Sequence, residues 1–434
     1  MNEGNRRIYE QNMGYLEQLG IGEKIVPIYD NFLKLRAALM CMGVGPSVLT
    51  RELAQIVNPS GEKRTGNVGL PVEFRSTYRN DNPDSRPFLL SLPTSVVYKG
   101  LQVGDRDFTV SSPFGLKGSV NNIALTLQGK KIIGLNLYEQ PDWINQTTTS
   151  GKPMTAMFLP EAGDNLMGAT RANGGCEYFG RKEACGFCGL DPLKGGDGKT
   201  PQDFAEVAAA AYAERPKTTS VTLTAGNTYT QIRGLEQYLR FIAAISQAVN
   251  AKGIKPWIEV EASPPDFERA GTEAYRTIDA LIEAGVTSFI SNMEQYSAKA
   301  RASALPAKSK ISYGDYATFF NYLREKRIPA SSVLIVGLDD SDENIVQGAK
   351  FLTENGAYPI ILPFRPRGKY GARDPINPNR LYNVSLEIAD IVRAAGIFPL
   401  SPGCAKCGGC SMDVQATIRA YQRESLIGVE AVVR

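Results

Sequence analysis

Histidine does not occur once in the 434 residues. Its absence excludes a Ser-His-Asp triad, a Cys-His pair, histidine-ligated zinc and histidine-ligated haem. Cobalamin held through histidine is excluded with them. Proton transfer must fall to carboxylate, Lys, Tyr, Cys or water, and the hard chemistry is expected to belong to a cofactor. Excess charge of one sign is also lacking. Lys and Arg number 48 against 45 Asp and Glu, a net charge of +3, too small to argue for nucleic acid or an anionic membrane surface. Long apolar runs are absent as well. The opening MNEGNRRIYEQ has no secretory h-region, and LRAALMCMGVGPSVL is short and carries Arg36. The expectation is a cytoplasmic protein with neither membrane nor nucleic acid as partner.

Cysteine is present, and unevenly placed. Six of the seven fall in two triplets: Cys176, Cys185 and Cys188 in CEYFGRKEACGFC, and Cys404, Cys407 and Cys410 in CAKCGGC. Clustered cysteines point to a reducing compartment and to metal ligation rather than to disulfides. Thiolates are soft ligands for iron–sulfur clusters or zinc, and a set of three leaves a further metal position open. Cys41 stands alone in a helical stretch and reads as a small buried apolar residue.

The chain divides by pattern. Residues 1–60 read as helical, with Leu16, Leu19, Ile25, Ile28, Phe32, Leu33, Leu35 and Leu39 at roughly helical spacing. From about 65 to 145 short β-rich runs such as SVVYKG, DFTVSS and IALTLQGKKIIGLNLYE take over. The polar NQTTTSGKP closes this module, which spans 1–150. From 154 to 400 strand candidates alternate with amphipathic helices. The strands are NLMGAT, SVTLTA, PWIEVEA, VTSFIS, SSVLIVGL and PIILPF, with IFPLS (397–401) as a further candidate. Gly253 and Gly285 suit helix C-caps. Six or so βα units predict an α/β fold, a parallel sheet curled into a full or partial TIM-type barrel, with chemistry at the carboxyl ends of its strands. Residues 401–434 form a C-terminal segment carrying the second triplet. The first triplet follows the first barrel strand.

That arrangement resembles the radical S-adenosylmethionine (SAM) superfamily, in which three cysteines hold a [4Fe-4S] cluster and SAM chelates the fourth iron. The resemblance implies reductive cleavage of SAM to methionine and a 5′-deoxyadenosyl radical that abstracts hydrogen from substrate. The superfamily pattern is C-x3-C-x2-C with an aromatic residue before the last cysteine. Here Phe187 precedes Cys188 and the second gap matches, while the first gap is eight residues. Gly226 and Asn227, in TAGNT, stand where the family has its Gly-Gly-Glu segment for the SAM amino group. In SNMEQ, Asn292 and Glu294 resemble the Asn-x-Asp pair of biotin synthase-related members. VLIVGLDD resembles the adenine-binding G-x-I-x-G-x-x-E segment, with Ile335 and Gly337 matching and Asp340 in place of Glu. PIILPFRPRG is similar to a strand of the same branch. Glu259 and Glu261 share one strand face; one of them reaching the SAM ribose and a salt bridge inside the barrel are both open. Gly226 as a strand end, Gly337 as a turn and Asp339, Asp340 and Asp342 as a helix N-cap region also remain open. Arg365 is a candidate carboxylate or phosphate clamp for substrate, or a structural ion-pair partner.

The second triplet repeats the first three ligands of a bacterial ferredoxin cluster, C-x2-C-x2-C, without the fourth cysteine. Either an open iron or an unusual ligand such as Ser411, Asp413 or a substrate group completes it. The resemblance and the extra cluster together point to sulfur insertion at an unactivated C–H bond of a small-molecule or carrier-bound substrate, with flavodoxin or ferredoxin as reductant. Radical rearrangement, carbon–carbon cleavage or dehydrogenation is the alternative, the second cluster then gripping substrate or moving electrons. A non-enzymatic protein is a further reading: a zinc site from Cys185, Cys188, Cys404 and Cys407, or a plain electron carrier.

Overall fold

A computed structural model describes the chain except for residues 1–2, 23–28, 46, 58–71, 77–88, 93–101, 104–105, 108–111, 138–139, 162–163, 171–174, 189–197, 367, 371–372, 399–402, 405–409 and 426–434. SVVYKG and Cys407 therefore lie outside the described residues.

Three helices come first: α1 (Glu3–Leu19), α2 (Tyr29–Met42) and α3 (Val48–Val57). Five antiparallel strands follow, β1 (Val72–Ser76), β2 (Leu89–Leu92), β5 (Phe114–Ser119), β6 (Asn122–Leu127) and β7 (Lys130–Leu137), in the order β2-β1-β7-β6-β5. A two-residue ribbon of β3 (Gln102–Val103) and β4 (Arg106–Asp107) stands apart from that sheet. Phe114, Leu116, Ile123, Leu125 and Leu135 alternate along the strands with more exposed residues and are buried, as a sheet with one solvated face requires.

The short helix α4 (Met154–Met157) leads into the second sheet, whose order is β14-β13-β12-β11-β10-β9-β8. Its strands are β8 (Phe158–Glu161), β9 (Asn165–Ala169), β10 (Ser220–Thr224), β11 (Ile258–Glu261), β12 (Ser288–Ile290), β13 (Ala330–Val336) and β14 (Ala357–Pro363). The six from β9 to β14 are parallel and match the six candidates of the sequence; β8 is an antiparallel edge strand. The sheet is thus a partial TIM-type barrel. Its crossovers are α5 (Pro201–Glu214), α6 (Gln231–Glu236) with α7 (Leu239–Asn250), α8 (Phe267–Ala270) with α9 (Thr272–Ala284), α10 (Ala298–Ala304) with α11 (Tyr313–Glu325), and α12 (Asp342–Glu354). Then come α13 (Pro378–Ala394) and α14 (Asp413–Ser425).

Two expectations need refinement. Gly285 is the C-cap of α9, but α7 ends at Asn250, and Gly253 (φ 74°) sits in the turn beyond it. Residues 397–398 form no strand, and 399–401 are outside the description.

The strand period of two sorts the barrel residues by chemistry. Leu166, Val221, Leu223, Ile258, Val260 and Phe289 are buried on one face, where Phe289 meets Phe319 of α11 and Gly168 fits against Phe204 of α5. The alternate row carries Asn165, Ser220, Thr222, Glu259 and Ser288, also buried and hydrogen-bonded across the strands. A parallel sheet covered on both faces usually has apolar residues on each. Here the inner row is polar along β9–β12 and turns apolar on β13 and β14 with Val333, Ile335 and Ile360, so one side of the barrel interior is suited to polar groups.

The N-terminal helices and C-terminal segment close on the barrel together. Arg36, fully buried in α2, donates from Nε and Nη2 to the Ser411 carbonyl at 3.3 and 3.0 Å. Met412 N–H donates to the Ile361 carbonyl, and the Ile361 N–H donates to Asp413 Oδ1. The free edge of β14 is thereby covered, which removes a template for unwanted strand pairing.

Candidate active site

Beyond β9 the chain forms a loop from Gly175 to Cys188, held from several sides. Its one short 3₁₀ turn, Glu177–Phe179, starts directly after Cys176. The Glu177 N–H donates to the Asn227 carbonyl at 2.9 Å, and the Glu177 carboxylate accepts from Tyr229 N–H and pairs with Arg233. Glu183 accepts from Tyr229 Oη at 2.8 Å and pairs with Lys310 at 2.7 Å. Gly226 is required by contact: a β-carbon there would lie 2.2 Å from the backbone nitrogen of Cys176. The Cys185–Cys188 turn is fixed by Gly186, whose N–H donates to the Ala304 carbonyl and whose carbonyl accepts from Lys369 N–H. A β-carbon on Gly186 would strike Lys369 and Tyr370.

These bonds gather three thiols from one loop at the carboxyl end of β9. Burial pushes the Cys185 thiol up from its ordinary value; Lys308 draws it down, while Glu294, Cys188 and Cys176 raise it further. Such a thiol stays protonated unless a metal takes the proton's place. Among the described residues no three ligand side chains are drawn in closely enough for a single metal ion. In a four-iron cluster each thiolate binds a different iron, so the sulfurs stand wider apart. The donor set and its clasp suit such a cluster.

Residues 174–352, from the loop through to α12, match the radical SAM superfamily. The chain carries a radical SAM domain. Members of that superfamily are enzymes that bind a [4Fe-4S] cluster and SAM. Among solved structures, the chain is similar to Streptococcus suis SuiB bound to precursor peptide SuiA, at 12% identity and TM-score 0.40 over 55% of this chain and 48% of that one. It is also similar to Escherichia coli coproporphyrinogen III oxidase (HemN), described as a radical SAM enzyme, at 15% identity and TM-score 0.33 over 45% and 44%. The chain spans about half the length of these proteins. No curated protein matches it in sequence.

The residues that the sequence assigned to SAM fall into two groups. The first lines the strand ends of the radical SAM domain. A small, partly open polar cleft lies beyond β10 and β11, lined by Gly226, Asn227, Gln237, Tyr238, Glu261 and Ser263. Asn227 Oδ1 accepts from Ser263 Oγ at 2.7 Å. Asn292 donates to Glu261 Oε1 at 2.5 Å and accepts from Val333 N–H. Glu294 has φ 59°, unusual for a residue with a β-carbon. Two ladder bonds to β13, Glu294 N–H to the Val333 carbonyl and Ile335 N–H to the Glu294 carbonyl, hold that conformation. Its carboxylate is buried, with Oε1 on Lys308 and Oε2 without a hydrogen-bond partner.

The second group serves the loops. Asp340 accepts from the backbone N–H of Tyr296 and of Ser297, and from Ser297 Oγ. Gln295 answers in the other direction: its Oε1 accepts from Asp339 and Asp340 N–H, and its Nε2 donates to the Ile335 carbonyl. The loops after β12 and β13 are thus locked to each other. Gly337 (φ 88°) turns the chain where a β-carbon would come within 2.9 Å of Ile376, and Ser341, not an aspartate, caps α12. Of these residues, Lys308 and Gln295 were not read from the sequence. Lys308 lies in an unremarkable Lys-Ser-Lys turn, and only a three-dimensional contact distinguishes it.

The C-terminal cysteines approach the same barrel. The Cys404 N–H donates to Glu259 Oε2 at 2.7 Å, on the polar inner row, and Thr222 Oγ1 donates to the same oxygen at 2.8 Å. Burial pushes the Glu259 carboxyl up to about 7, against those bonds. Its partners among the described residues are this peptide N–H and the hydroxyls of Thr222 and Ser288, with no counter-ion among them. Asp413 is committed to the edge of β14 through Oδ1. Cys410 and the partly buried Cys41 of α2 are the acids that act on Arg365.

Proposed function

We propose that this chain is an enzyme that cleaves SAM reductively and takes hydrogen from a small-molecule or carrier-bound substrate, and that the outcome is sulfur insertion. Cys176, Cys185 and Cys188 would hold the SAM-cleaving cluster, and Cys404, Cys407 and Cys410 a second one. When bound, the first group supplies an electron to SAM and the second supplies sulfur. A flavodoxin or ferredoxin would deliver the electron.

The chain's own residues bind and orient. Glu294 Oε2, buried and open, is an acceptor for a donor group of SAM; Lys308 fixes the carboxylate that carries it. Asn292 and Glu261 brace each other beside it. The polar cleft at Asn227 and Ser263 continues the surface toward the cysteine loop.

The observation that carries the sulfur reading is the bond from Cys404 N–H to Glu259. It brings Cys404, the first cysteine of the second set, onto the inner row of the barrel whose strand ends carry the first-set loop. A sulfur donor has to share the cavity with the substrate radical, and this bond is consistent with that requirement.

The test is anaerobic reconstitution with analysis of iron, sulfide and zinc, then incubation with dithionite and SAM. About eight irons per chain, formation of 5′-deoxyadenosine, and product halting near one per chain support the reading. Colourless zinc protein without SAM cleavage overturns it entirely. Many turnovers with the C-terminal iron intact overturn sulfur insertion and leave rearrangement, cleavage or dehydrogenation.

A further inference from the structure

Arg365 stands just beyond β14, at the carboxyl end of the barrel's edge strand. Its Nε and Nη2 are closed off from solvent, and neither has a hydrogen-bond partner among the described residues. Other buried arginines are engaged. Arg36 grips the Ser411 carbonyl, Arg301 gives Nη2 to the Lys308 and Ile311 carbonyls, and Arg419 holds Asp30. Burial pulls the Arg365 guanidinium down from its ordinary value, and among the described residues the thiols of Cys410 and Cys41 act against that. No carboxylate acts on it among the described residues.

The two idle nitrogens matter as a pair. Nε–H and the Nη2–H beside it project from one edge of the guanidinium, spaced to meet both oxygens of a carboxylate side-on. Arg419 displays this pairing on Asp30, with Nε on Oδ1 and Nη2 on Oδ2. Arg365 offers the same fork with nothing in it. A buried, unpaired cation is costly to keep in a folded chain, and preorganised donors of this kind suit a ligand that arrives charged.

We propose that Arg365 is a substrate-binding residue that grips a carboxylate side-on, so that the substrate is a carboxylic acid. This rests on the proposed function. The acid would lie between the end of β14 and α2, with its anionic end beside Cys410 and the rest of the molecule reaching into the barrel.

The test uses the cluster-loaded protein under anaerobic conditions, with acetate, succinate and glycine as probes and chloride at equal ionic strength as control. Thermal shift and calorimetry read binding, while iron content and SAM affinity are measured in parallel. The expected result is saturable stabilisation by carboxylates, weakened at least tenfold in Arg365→Met and less in Arg365→Lys, which keeps the charge without the fork. Ligand-free Arg365→Met should melt no lower than the parent, because it removes an unpaired charge. Absence of any carboxylate effect in the parent overturns the proposal, as does stabilisation by inorganic phosphate alone. Loss of C-terminal iron in Arg365→Met, with carboxylate binding unaltered in Arg365→Lys, also overturns it and makes the guanidinium a charge partner of the thiolates. Failure of the parent to bind SAM strikes the proposed function instead, and the two failures are separate readouts.

Discussion

Lys308 Nζ lies 2.6 Å from Glu294 Oε1, with the two side chains 7% and 8% exposed. Burial pulls the ammonium down, but the Glu294 carboxylate outweighs it and Lys308 stays protonated. Replacing Lys308 by Met strands a buried carboxylate, at an expected cost of about 3–5 kcal/mol. Chemical denaturation of Lys308→Met beside the double variant Lys308→Met/Glu294→Gln measures it. The double variant should recover much of the loss, and equal instability of the two would rule out stranded charge as the cause.

Glu294 supplies a different readout when altered alone. Glu294→Gln keeps the shape but changes the buried oxygen that has no hydrogen-bond partner among the described residues and is proposed to accept from SAM. SAM affinity should fall by about 1–3 kcal/mol, the range for one buried hydrogen bond. Iron at the first cysteine triplet should be unchanged. Equal SAM affinity in parent and variant would show that Oε2 does not touch the cofactor.

Gly226→Ala should act on the cysteine loop rather than on SAM directly. The added carbon meets backbone atoms of Gly175 and Cys176 at 2.2–2.4 Å, and backbone cannot rotate aside. A cost of about 1–3 kcal/mol is expected, together with poor iron loading of the first site. Full iron content by colorimetric assay would show that the loop tolerates the shift.

Asp340→Ala removes the acceptor for two backbone amides and the Ser297 hydroxyl. Unsatisfied buried donors cost about 1–3 kcal/mol, so the melting temperature should fall. If Asp340 also touched SAM, affinity would drop in a variant that keeps the amide contacts, and Asp340→Asn separates the two effects.

Acid stability should depend on Asp203, the buried N-terminal carboxylate of α5. Burial alone would raise its pKa; hydrogen bonds from Lys152, Ser150 and Thr200 outweigh this and hold it well below the usual carboxylate range. A lowered folded-state pKa means stabilisation that is complete above the unfolded value near 3.8 and lost as pH falls below it. Asp203→Asn should lower stability at pH 7 and flatten its decline below about pH 4. Parallel stability curves for parent and variant across that range would refute the assignment.

The six parallel strands were legible because each is a short run, apolar or alternating apolar with polar, set between helical stretches, and such runs need no partner to be recognised. β8 was not, since Phe-Leu-Pro-Glu is short and Pro160 reads as a breaker; an edge position tolerates it. The first cysteine loop was legible from type and order of residues. What holds it was not: Glu177, Tyr229 and Arg233 are ordinary polar residues until the fold brings 177 beside 227–233. The SNMEQ and GLDD segments follow β12 and β13 and lie side by side. Their division of labour, with Gln295 and Asp340 locking loops and Glu294 left open, depends on contacts some 40 residues apart in sequence, which no local pattern encodes.

The bond from Arg36 to the Ser411 carbonyl joins positions 375 residues apart, and Arg419 to Asp30 spans 389. A nascent chain exposes α2 long before either partner leaves the ribosome. At about 5–20 residues per second the wait lasts about twenty to eighty seconds. Through that interval Leu33, Leu35 and Leu39, all buried in the finished molecule, lack part of the cover they will have. The barrel's last strand waits too, because its edge is closed by 411–413. The segment that carries Ser411 and α14 is therefore also the piece that ends this exposed period for α2.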